Sequence, residues 1–256
     1  MTNKALDGIA RLYGSAGLQR LQQAHVAVIG LGGVGSWAAE ALARSGVGEI
    51  TLMDLDDICV SNSNRQLHTL TSTIGQLKVD VMAERLQQIN PQLKVHAIAD
   101  FIEPDNLQQY MGAQLDFVVD CIDSMTPKAA LIAWCKRNKI GLVTTGGAGG
   151  LTDPGKITIA DLNKTYHDPL AARLRSKLKR EYGFTTKPKK NFGVPCVFST
   201  EQPRYPAADG EICFNKSFAG DGAKLDCAGG LGAAVMVTAT FGMFAASRAV
   251  ERLIAG

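Results

Sequence analysis

The sequence lacks the features of a secreted protein or of a metal ribbon. Its cysteines form no Cys-x-x-Cys pair and lie far apart, at positions 59, 121, 135, 196, 213 and 227. That spacing excludes a disulfide framework and a zinc ribbon, and it fits a reducing compartment. The first residues, MTNKALDGIARLYG, contain no apolar core long enough for a signal peptide. We therefore expect a cytoplasmic protein.

Aromatic residues make up only 6% of the chain, and the net charge is only +3, because 27 Lys and Arg oppose 24 Asp and Glu. The protein as a whole is therefore not a basic one. It is not disordered either, since 46% of its 256 residues are hydrophobic and can fill a core. Glycine is abundant, with 27 residues, which indicates many tight turns or close backbone contacts.

Short apolar runs alternate along the chain with stretches of helical period. The runs predict strands, and the periodic stretches predict helices where glycine, proline or a Thr-Pro pair marks an end. The predicted strands are 25–30, 49–54, 95–99, 115–120, 142–145 and 156–161, and the predicted helices are 36–45, 74–90 and 126–138. This alternation predicts an α/β fold with a Rossmann-like, mostly parallel sheet and helices on both faces.

A glycine-rich segment, GLGGVGS, follows the first predicted strand and opens the first predicted helix. Gly30, Gly32 and Gly35 satisfy Gly-x-Gly-x-x-Gly, a pattern in which missing side chains let backbone N–H groups and a helix N-terminus approach a phosphate. Asp54 ends the second predicted strand, 19 residues beyond Gly35, where a carboxylate can bind ribose hydroxyls. A dinucleotide and ATP both fit this pattern.

The residues after Asp54 favour ATP. The chain continues with Ser-Asn-Ser-Asn-Arg-Gln, which contains Arg65, and Lys78 follows at a distance. Two fixed cations with carboxamide donors suit a triphosphate, whose charge must be held while one phosphoryl bond breaks. Taken singly, Arg65 and Lys78 would be ordinary surface charges, so the prediction rests on their joint spacing after the glycine loop.

Residues 164–190 carry the excess of positive charge, with nine Lys and Arg against two Asp and Glu. Their net charge of +7 means that the other residues sum to −4. A basic insertion on a mildly acidic body indicates a polyanionic partner such as RNA. Leu170, Leu174 and Leu178 repeat every four residues, however, and this spacing also fits an ordinary solvated helix. The segment alone leaves both interpretations open.

Together these motifs resemble the adenylation domain of the ubiquitin-activating, MoeB, ThiF and HesA superfamily. The resemblance runs from Arg11 to about Gly150. Its residues are 30–36, Asp54, Asn62-x-x-Arg65-Gln66, Lys78 and the Asp-Cys-Ile-Asp of 120–123. The flanking strings NSNRQLH, AERLQQINP, VTTGGAGG and VFSTE resemble the branch of the superfamily that dehydrates a modified adenosine of tRNA.

The resemblance implies one adenylation domain over residues 1–256. Residues 1–150 would form its nucleotide-binding part, and residues 151–256 its substrate-side part, with additional strands and a Gly/Ala-rich helix over 229–254. The stretch 228–247 is uncharged and long enough to span a bilayer, but its apolar content is borderline for that role. We predict a helix buried against the sheet, with peripheral membrane contact as the alternative.

The resemblance also implies a reaction, in which ATP with Mg²⁺ adenylates a carboxylate. In the tRNA-modifying branch, the threonine carboxylate of threonylcarbamoyladenosine at position thirty-seven attacks the α-phosphate, which gives an acyl-adenylate and pyrophosphate. Capture of the activated carbonyl within the same modification then closes a ring and releases AMP. The internal nucleophile is already close, which makes this route favourable. We therefore expect an ATP-dependent dehydratase with tRNA as its substrate.

By the same resemblance, the motif residues have expected roles. Asp123 would bind Mg²⁺ and position ATP, with Asp120 as a strand-end partner of second rank. Arg11 would enter the ATP site of a neighbouring subunit, which implies a homodimer. The remaining roles are a phosphate loop of Gly30, Gly32, Gly33 and Gly35, a ribose contact from Asp54, and phosphate contacts from Asn62, Arg65 and Lys78.

The sequence also departs from relatives that serve ubiquitin-like carriers, because it lacks their two Cys-x-x-Cys pairs. A thioester-forming thiol at Cys196, Cys213 or Cys227 is an alternative, although a buried thiol is the simpler interpretation of each. The resemblance further implies a cysteine desulfurase and sulfur-acceptor system as a partner. Three other functions stay open: adenylation of a ubiquitin-like sulfur carrier, NAD(P)-dependent oxidation, and binding without catalysis.

Overall fold

The computed structural model describes residues 4–112, 114–187, 189–207, 210–214 and 231–255. Its strands are β1 (His25–Ile29), β2 (Glu49–Met53), β3 (Lys94–Ile98), β4 (Phe117–Asp120), β5 (Gly141–Thr145), β6 (Ile157–Asp161), β7 (Pro195–Ser199), β8 (Tyr205–Pro206) and β9 (Ile212–Cys213). Its helices are α1 (Asp7–Gln23), α2 (Gly35–Arg44), α3 (Lys78–Ile89), α4 (Leu107–Tyr110), α5 (Met125–Asn138), α6 (Pro169–Glu181) and α7 (Val235–Ala255).

Seven strands form one sheet in the order β3-β2-β1-β4-β5-β7-β6, and β8 pairs with β9 in a separate ribbon. Every pairing in the large sheet is parallel except that of β6 with β7. The strand order reverses between β1 and β4, which is the switch point of a Rossmann-like sheet. The predicted fold is therefore confirmed, including the additional strands of the C-terminal part.

Each face of the sheet has its own apolar core. On one face α2, α3 and α7 pack on the sheet through residues such as Leu42, Met82 and Phe241. On the other face α4, α5 and α6 pack through residues such as Leu107 and Leu131. The central strands are buried on both sides, as the continuous apolar runs of β1 and β4 predict.

Two helices begin later than the sequence predicts. Helix α3 begins at Lys78 rather than at residue 74, because Gly75 has a φ of +83° and its N–H donates to the carbonyl of Ile58. A left-handed residue ends helical geometry at that point. Helix α7 begins at Val235; residues 231–234 are described as non-helical, and residues 229–230 of the predicted helix lie outside the described part of the chain.

Helix α7 contains most of the uncharged stretch, and it packs against α1, α2 and the sheet. Its buried residues include Val237, Phe241 and Ala245, so one side of the helix packs against the protein, whereas Met236 and Met243 on the other side are exposed. Among the described residues, no helix combines the length and the apolar character that crossing a bilayer requires.

The contact between α7 and α2 depends on a missing side chain. A Cβ on Gly242 would lie 2.5 Å from the carbonyl oxygen of Val34 and 2.9 Å from the backbone nitrogen of Ala38. Both are backbone atoms, which cannot move aside at a low energetic cost. The glycine therefore sets the distance of α7 from the segment that follows the glycine loop.

We expect Gly242→Ala to lower the free energy of unfolding by about 1–3 kcal/mol, because the added methyl overfills a packed contact. The matched control is Gly8→Ala, since Gly8 is exposed in α1 and a Cβ there meets no atom within 4 Å. That change should be neutral or stabilise by up to about 1 kcal/mol. Urea unfolding of both variants measures the difference, and equal stabilities would contradict the packing argument.

Candidate active site

A cavity of about 1060 Å³ opens at the carboxyl ends of the central strands, where the strand order reverses. Open α/β sheets bind ligands in this crevice, and the volume suits a nucleotide. Charged and polar side chains that line it include Asp54, Asp56, Asn64, Arg65, Lys78, Asp123, His167, Asp168 and Arg173.

The turn between β1 and α2 brings backbone, rather than side chains, to this cavity. Gly30 has a φ of +88°, and a Cβ on Gly35 would overlap the carbonyl oxygen of Gly30, so both positions require glycine. Gly30, Gly32 and Gly33 line the cavity, whereas Gly35 begins α2 beneath them. The positive end of a helix thus lies under a loop of exposed backbone, which is an arrangement that binds anions.

Arg65 lies across the glycine loop. A Cβ on Gly33 would stand 3.0 Å from Cγ of Arg65, so the bare glycine makes room for the arginine stem. The guanidinium donates to the carbonyl of Ser61 at 2.9 Å and to Oδ1 of Asn64 at 3.0 Å. Trp37 of α2 donates its indole N–H to the carbonyl of Arg65 at 3.1 Å. These contacts hold a permanent cation beside the loop.

Asp54 and Lys78 meet on the other side of the loop. Asp54 accepts hydrogen bonds from the backbone of Leu31 at 2.6 Å and of Asp56 at 2.9 Å. Nζ of Lys78 lies 2.7 Å from Oδ2 of Asp56 and 3.6 Å from Oδ1 of Asp54. Burial raises the pKa of Asp54 above its usual value, although Lys78 and the two N–H groups oppose that shift. Asp56 is a partner of the lysine that the sequence did not indicate.

Besides Gly35, which lies beneath the loop, two of the predicted site residues do not line the cavity of this chain. Asn62 is buried, and its Oδ1 accepts a hydrogen bond from the backbone of Cys59 at 3.1 Å, so its side chain supports the turn instead of lining the cavity. Its neighbour Asn64 lines the cavity. Arg11 is exposed on α1 and is not among the lining residues.

A buried ion pair shapes the loop that carries Asp123. Nζ of Lys128 lies 3.0 Å from Oδ2 of Asp120, and both side chains are fully buried. Lys128 also donates to the carbonyl of Ile122 at 2.8 Å, and Thr144 of β5 donates to Asp120 at 2.6 Å. Asp123 itself is exposed, and it lines the cavity, where its carboxylate oxygens could bind a metal ion. Asp120, ranked second from the sequence, is therefore structural.

The basic helix α6 begins at the cavity. Asp168 caps it by accepting from the backbone of Ala171 at 2.9 Å, and the same carboxylate accepts from the backbone of Gly147 at 3.0 Å. Burial raises the pKa of Asp168, although these N–H groups and nearby Lys128 oppose that effect. Arg173, one turn into the helix, lines the cavity. The insertion and the nucleotide-type loop therefore share one site.

The cysteines considered as nucleophiles do not share an environment. Cys196 lies fully buried in β7, and burial raises its pKa, so it is a core thiol. Cys213 is half-buried in β9, and Cys227 lies outside the described residues. The cavity itself contains Cys121, whose pKa burial raises to about 12. A thiol with that pKa is protonated at neutral pH and is a poor nucleophile.

Sequence reasoning missed Lys128, Asp168 and Arg173 as residues of the site. The string Thr-Pro-Lys-Ala-Ala of 126–130 belongs to the family resemblance, but a lysine in an Ala-rich helix looks like a surface charge, and Lys128 was given no role. Asp168 could have been found, because Asp-Pro at the start of a helical period is a typical N-cap followed by a first-turn proline. That assignment would have placed Arg173 one turn further along the helix.

The fold and this cavity define an α/β nucleotide-binding protein. The sequence pattern of the ThiF family matches residues 6–254, and the chain therefore belongs to the ThiF family. A more distant relative is the molybdopterin-synthase adenylyltransferase of Escherichia coli, which is 32% identical over 62% of this chain and 61% of its own length.

Within the family, the chain is similar over nearly its whole length to tRNA threonylcarbamoyladenosine dehydratases. The Escherichia coli protein of that name is 56% identical over 97% of this chain and 92% of its own length, and the Haemophilus influenzae protein is 53% identical over 96% and 92%. The solved structure of the Escherichia coli enzyme, TcdA, in complex with ATP superposes with a TM-score of 0.87 at 51% identity, covering 98% of this chain and 94% of that one.

We expect Lys128→Met to lower the free energy of unfolding by about 3–5 kcal/mol, because it leaves the buried carboxylate of Asp120 without its partner. Lys156→Met is the matched control, since Lys156 is exposed and the distance from its Nζ to the carboxylate of Asp153 is 3.8 Å. The control should change stability by less than about 0.5 kcal/mol. Urea unfolding distinguishes the two; a Lys128 variant as stable as its control would show that the pair does not organise the loop.

Proposed function

We propose that this protein is an ATP-dependent dehydratase that activates the carboxylate of threonylcarbamoyladenosine at position thirty-seven of tRNA and cyclises it. The observation that carries the proposal is the likeness of 56% identity over 97% of the chain to an enzyme named for this substrate. The cavity supports it, since a glycine loop, a helix N-terminus and two cations meet where a triphosphate would be held.

The residues of this chain suggest how the first step proceeds. The carboxylate attacks the α-phosphate, the bond between the α- and β-phosphates breaks, and pyrophosphate leaves. Backbone N–H groups of the glycine loop and the guanidinium of Arg65 would stabilise the charge that gathers on the phosphates. Lys78 would bridge the phosphates and Asp54, whose carboxylate would accept from the ribose hydroxyls. In the second step, a nucleophilic atom of the same modification attacks the activated carbonyl and loses its proton, the ring closes, and AMP leaves.

We assign Mg²⁺ to Asp123. Its carboxylate is exposed to the cavity, and Mg²⁺ prefers oxygen ligands with several waters retained. The ion would neutralise phosphate charge when it is bound. Lys128 would act indirectly, because it holds the carbonyl of Ile122, next to Asp123.

The tRNA would approach along α6. The apolar stripe of this helix is used for packing, since Leu174 and Leu178 are buried, while Leu170 and Arg173 line the cavity. The two interpretations of the basic insertion are therefore compatible. One side of the helix packs, and exposed Arg173 would meet the phosphates of the RNA, whereas Lys177 and Arg180 pair with Glu181 at 2.7 and 2.6 Å.

Other assignments rest on the family resemblance. We propose one adenylation domain over residues 1–256, a cytoplasmic location with peripheral membrane contact as the alternative, and a homodimer in which Arg11 completes the site of the partner subunit. A cysteine desulfurase and sulfur-acceptor system would be a further partner.

The reaction is tested with purified protein, ATP, Mg²⁺ and tRNA that carries threonylcarbamoyladenosine. Mass analysis of the nucleosides should find the loss of one water, accompanied by AMP and pyrophosphate; tRNA without the modification is the control. Production of ADP, or no mass change with ATP bound, would refute the proposal. Pyrophosphate exchange that needs a Gly-Gly-tailed carrier protein instead would favour the sulfur-carrier alternative, and saturable NADH binding without ATP binding would favour the oxidoreductase.

Among site variants, we expect Arg65→Ala and Asp123→Asn each to lower AMP formation by about 10²–10³-fold, because each removes charge stabilisation from the reacting phosphates. The matched controls are Arg137→Ala and Asp105→Asn, which change exposed residues that do not line the cavity. Each site variant should have a melting temperature similar to that of its control. If Arg65→Ala and its control turn over ATP at the same rate, the assignment of Arg65 is wrong.

A further inference from the structure

Two histidines and a glutamate come together at the end of the sheet opposite the nucleotide cavity. His25 begins β1, Glu49 begins β2, and His96 lies in the middle of β3. These strands are adjacent and parallel, with His25 opposite Glu49 and His96 opposite Thr51. Because side chains alternate between the faces of a strand, all four of these residues project from the same face.

The three side chains are close enough to share one ion. Oε1 of Glu49 lies 2.7 Å from Nε2 of His96 and 3.6 Å from Nδ1 of His25. One donor atom from each residue lies within 4.8 Å of the others. Metal–ligand bonds of about 2.0–2.1 Å at tetrahedral angles separate two ligand atoms by about 3.3–3.4 Å. Shifts of a fraction of an ångström to about 1.5 Å would bring all three atoms to that spacing.

The buried histidine is already held in a suitable orientation. Nε2 of His25 lies 2.8 Å from Oγ1 of Thr51, and the backbone N–H of His25 donates to Asp116 at 2.8 Å. With the proton on Nε2, shared with the hydroxyl, the lone pair of Nδ1 would be available to an ion on the side of Glu49. Such a second hydrogen bond is what orients histidine ligands in metal sites.

We propose that His25, Glu49 and His96 form a binding site for a divalent late first-row metal ion, with Zn²⁺ as the best match. Two imidazoles and one carboxylate are the donor set that this ion takes with one position left for water. The site is open on one side, because the side chains of His25, Glu49 and His96 are 11%, 30% and 50% exposed. An ion could therefore enter from solvent without unfolding the chain.

The position of the cluster indicates a structural role. β3 is the last strand on its side of the sheet, and several of its residues are exposed. A metal held by all three strands would fasten this edge strand to β2 and β1. The five residues of β1 separate the cluster from the glycine loop by about 15 Å, so the ion would not contact the nucleotide. The inference does not depend on the proposed reaction.

The test is a titration of the purified full-length protein with Co²⁺, without nucleotide or tRNA, followed by visible absorption. We expect one Co²⁺ per chain, displaced by Zn²⁺, and at least a tenfold loss of affinity in His96→Ala and in Glu49→Gln. Glu84→Gln is the matched control, since Glu84 is an exposed carboxylate outside both the cluster and the cavity, and it should bind as the parent does. Zn²⁺ should also raise the melting temperature of the parent by about 5 °C, and that of His96→Ala by much less.

The proposal fails if His96→Ala and Glu49→Gln bind Co²⁺ as tightly as the parent. It also fails if Cys59→Ser, which removes an exposed thiol, abolishes the absorption while the two cluster variants retain it. Because His96 and Glu49 are partly exposed, their variants should fold. The circular dichroism of each variant verifies this before titration.

Discussion

The active-site end of the sheet depends on one buried charge pair, between Asp120 at the end of β4 and Lys128 in α5. Taking both charges out of water is costly, so the pair is stable only if every remaining polar atom finds a partner. Here Thr144 and the backbone of Ile122 bond to Asp120, and the carbonyl of Ile122 bonds to Lys128. The pair thus joins β4, β5, α5 and the loop before α5. Any loop conformation that separated Asp120 from Lys128 would leave a buried charge unpaired. The pair therefore favours a single geometry for the loop that carries Asp123.

The second constraint is close approach of backbone, which glycine permits at four contacts around the cavity. Gly35 lies against Gly30 within the loop, Gly33 lies under Arg65, and Gly242 lies against the segment after the loop. Gly146 lies against the carboxylate of Asp168, so α6 also sits close to the sheet. A side chain at any of these positions would push two elements apart. The size of the cavity therefore depends on these glycines as well as on the residues that line it.

Much of the fold could be predicted because buried parallel strands have a distinct pattern. The local sequence is enough to recognise the apolar runs of β1, β2 and β4 and the glycine loop. β7 was missed because its five residues follow a long irregular segment, and α1 because Gly14 interrupts it with a non-helical φ of 75°. Side-chain direction was also beyond local pattern: only the turn geometry decides that Asn62 supports the loop while Asn64 lines the cavity.

The charge of the cavity adds a physical argument for a metal ion with the nucleotide. Among the described residues, six carboxylates line the cavity against three Lys and Arg side chains, Arg65, Lys78 and Arg173. Lys78 is already paired with Asp56 at 2.7 Å, so much of its charge is neutralised before any ligand arrives. A bare triphosphate would therefore enter a cavity whose own charge is negative. Backbone N–H groups contribute only partial charges, worth about 0.3–1 kcal/mol at an exposed helix end. A divalent cation held by Asp123 would supply the missing positive charge, which favours the nucleotide–metal complex over free ATP as the species that binds.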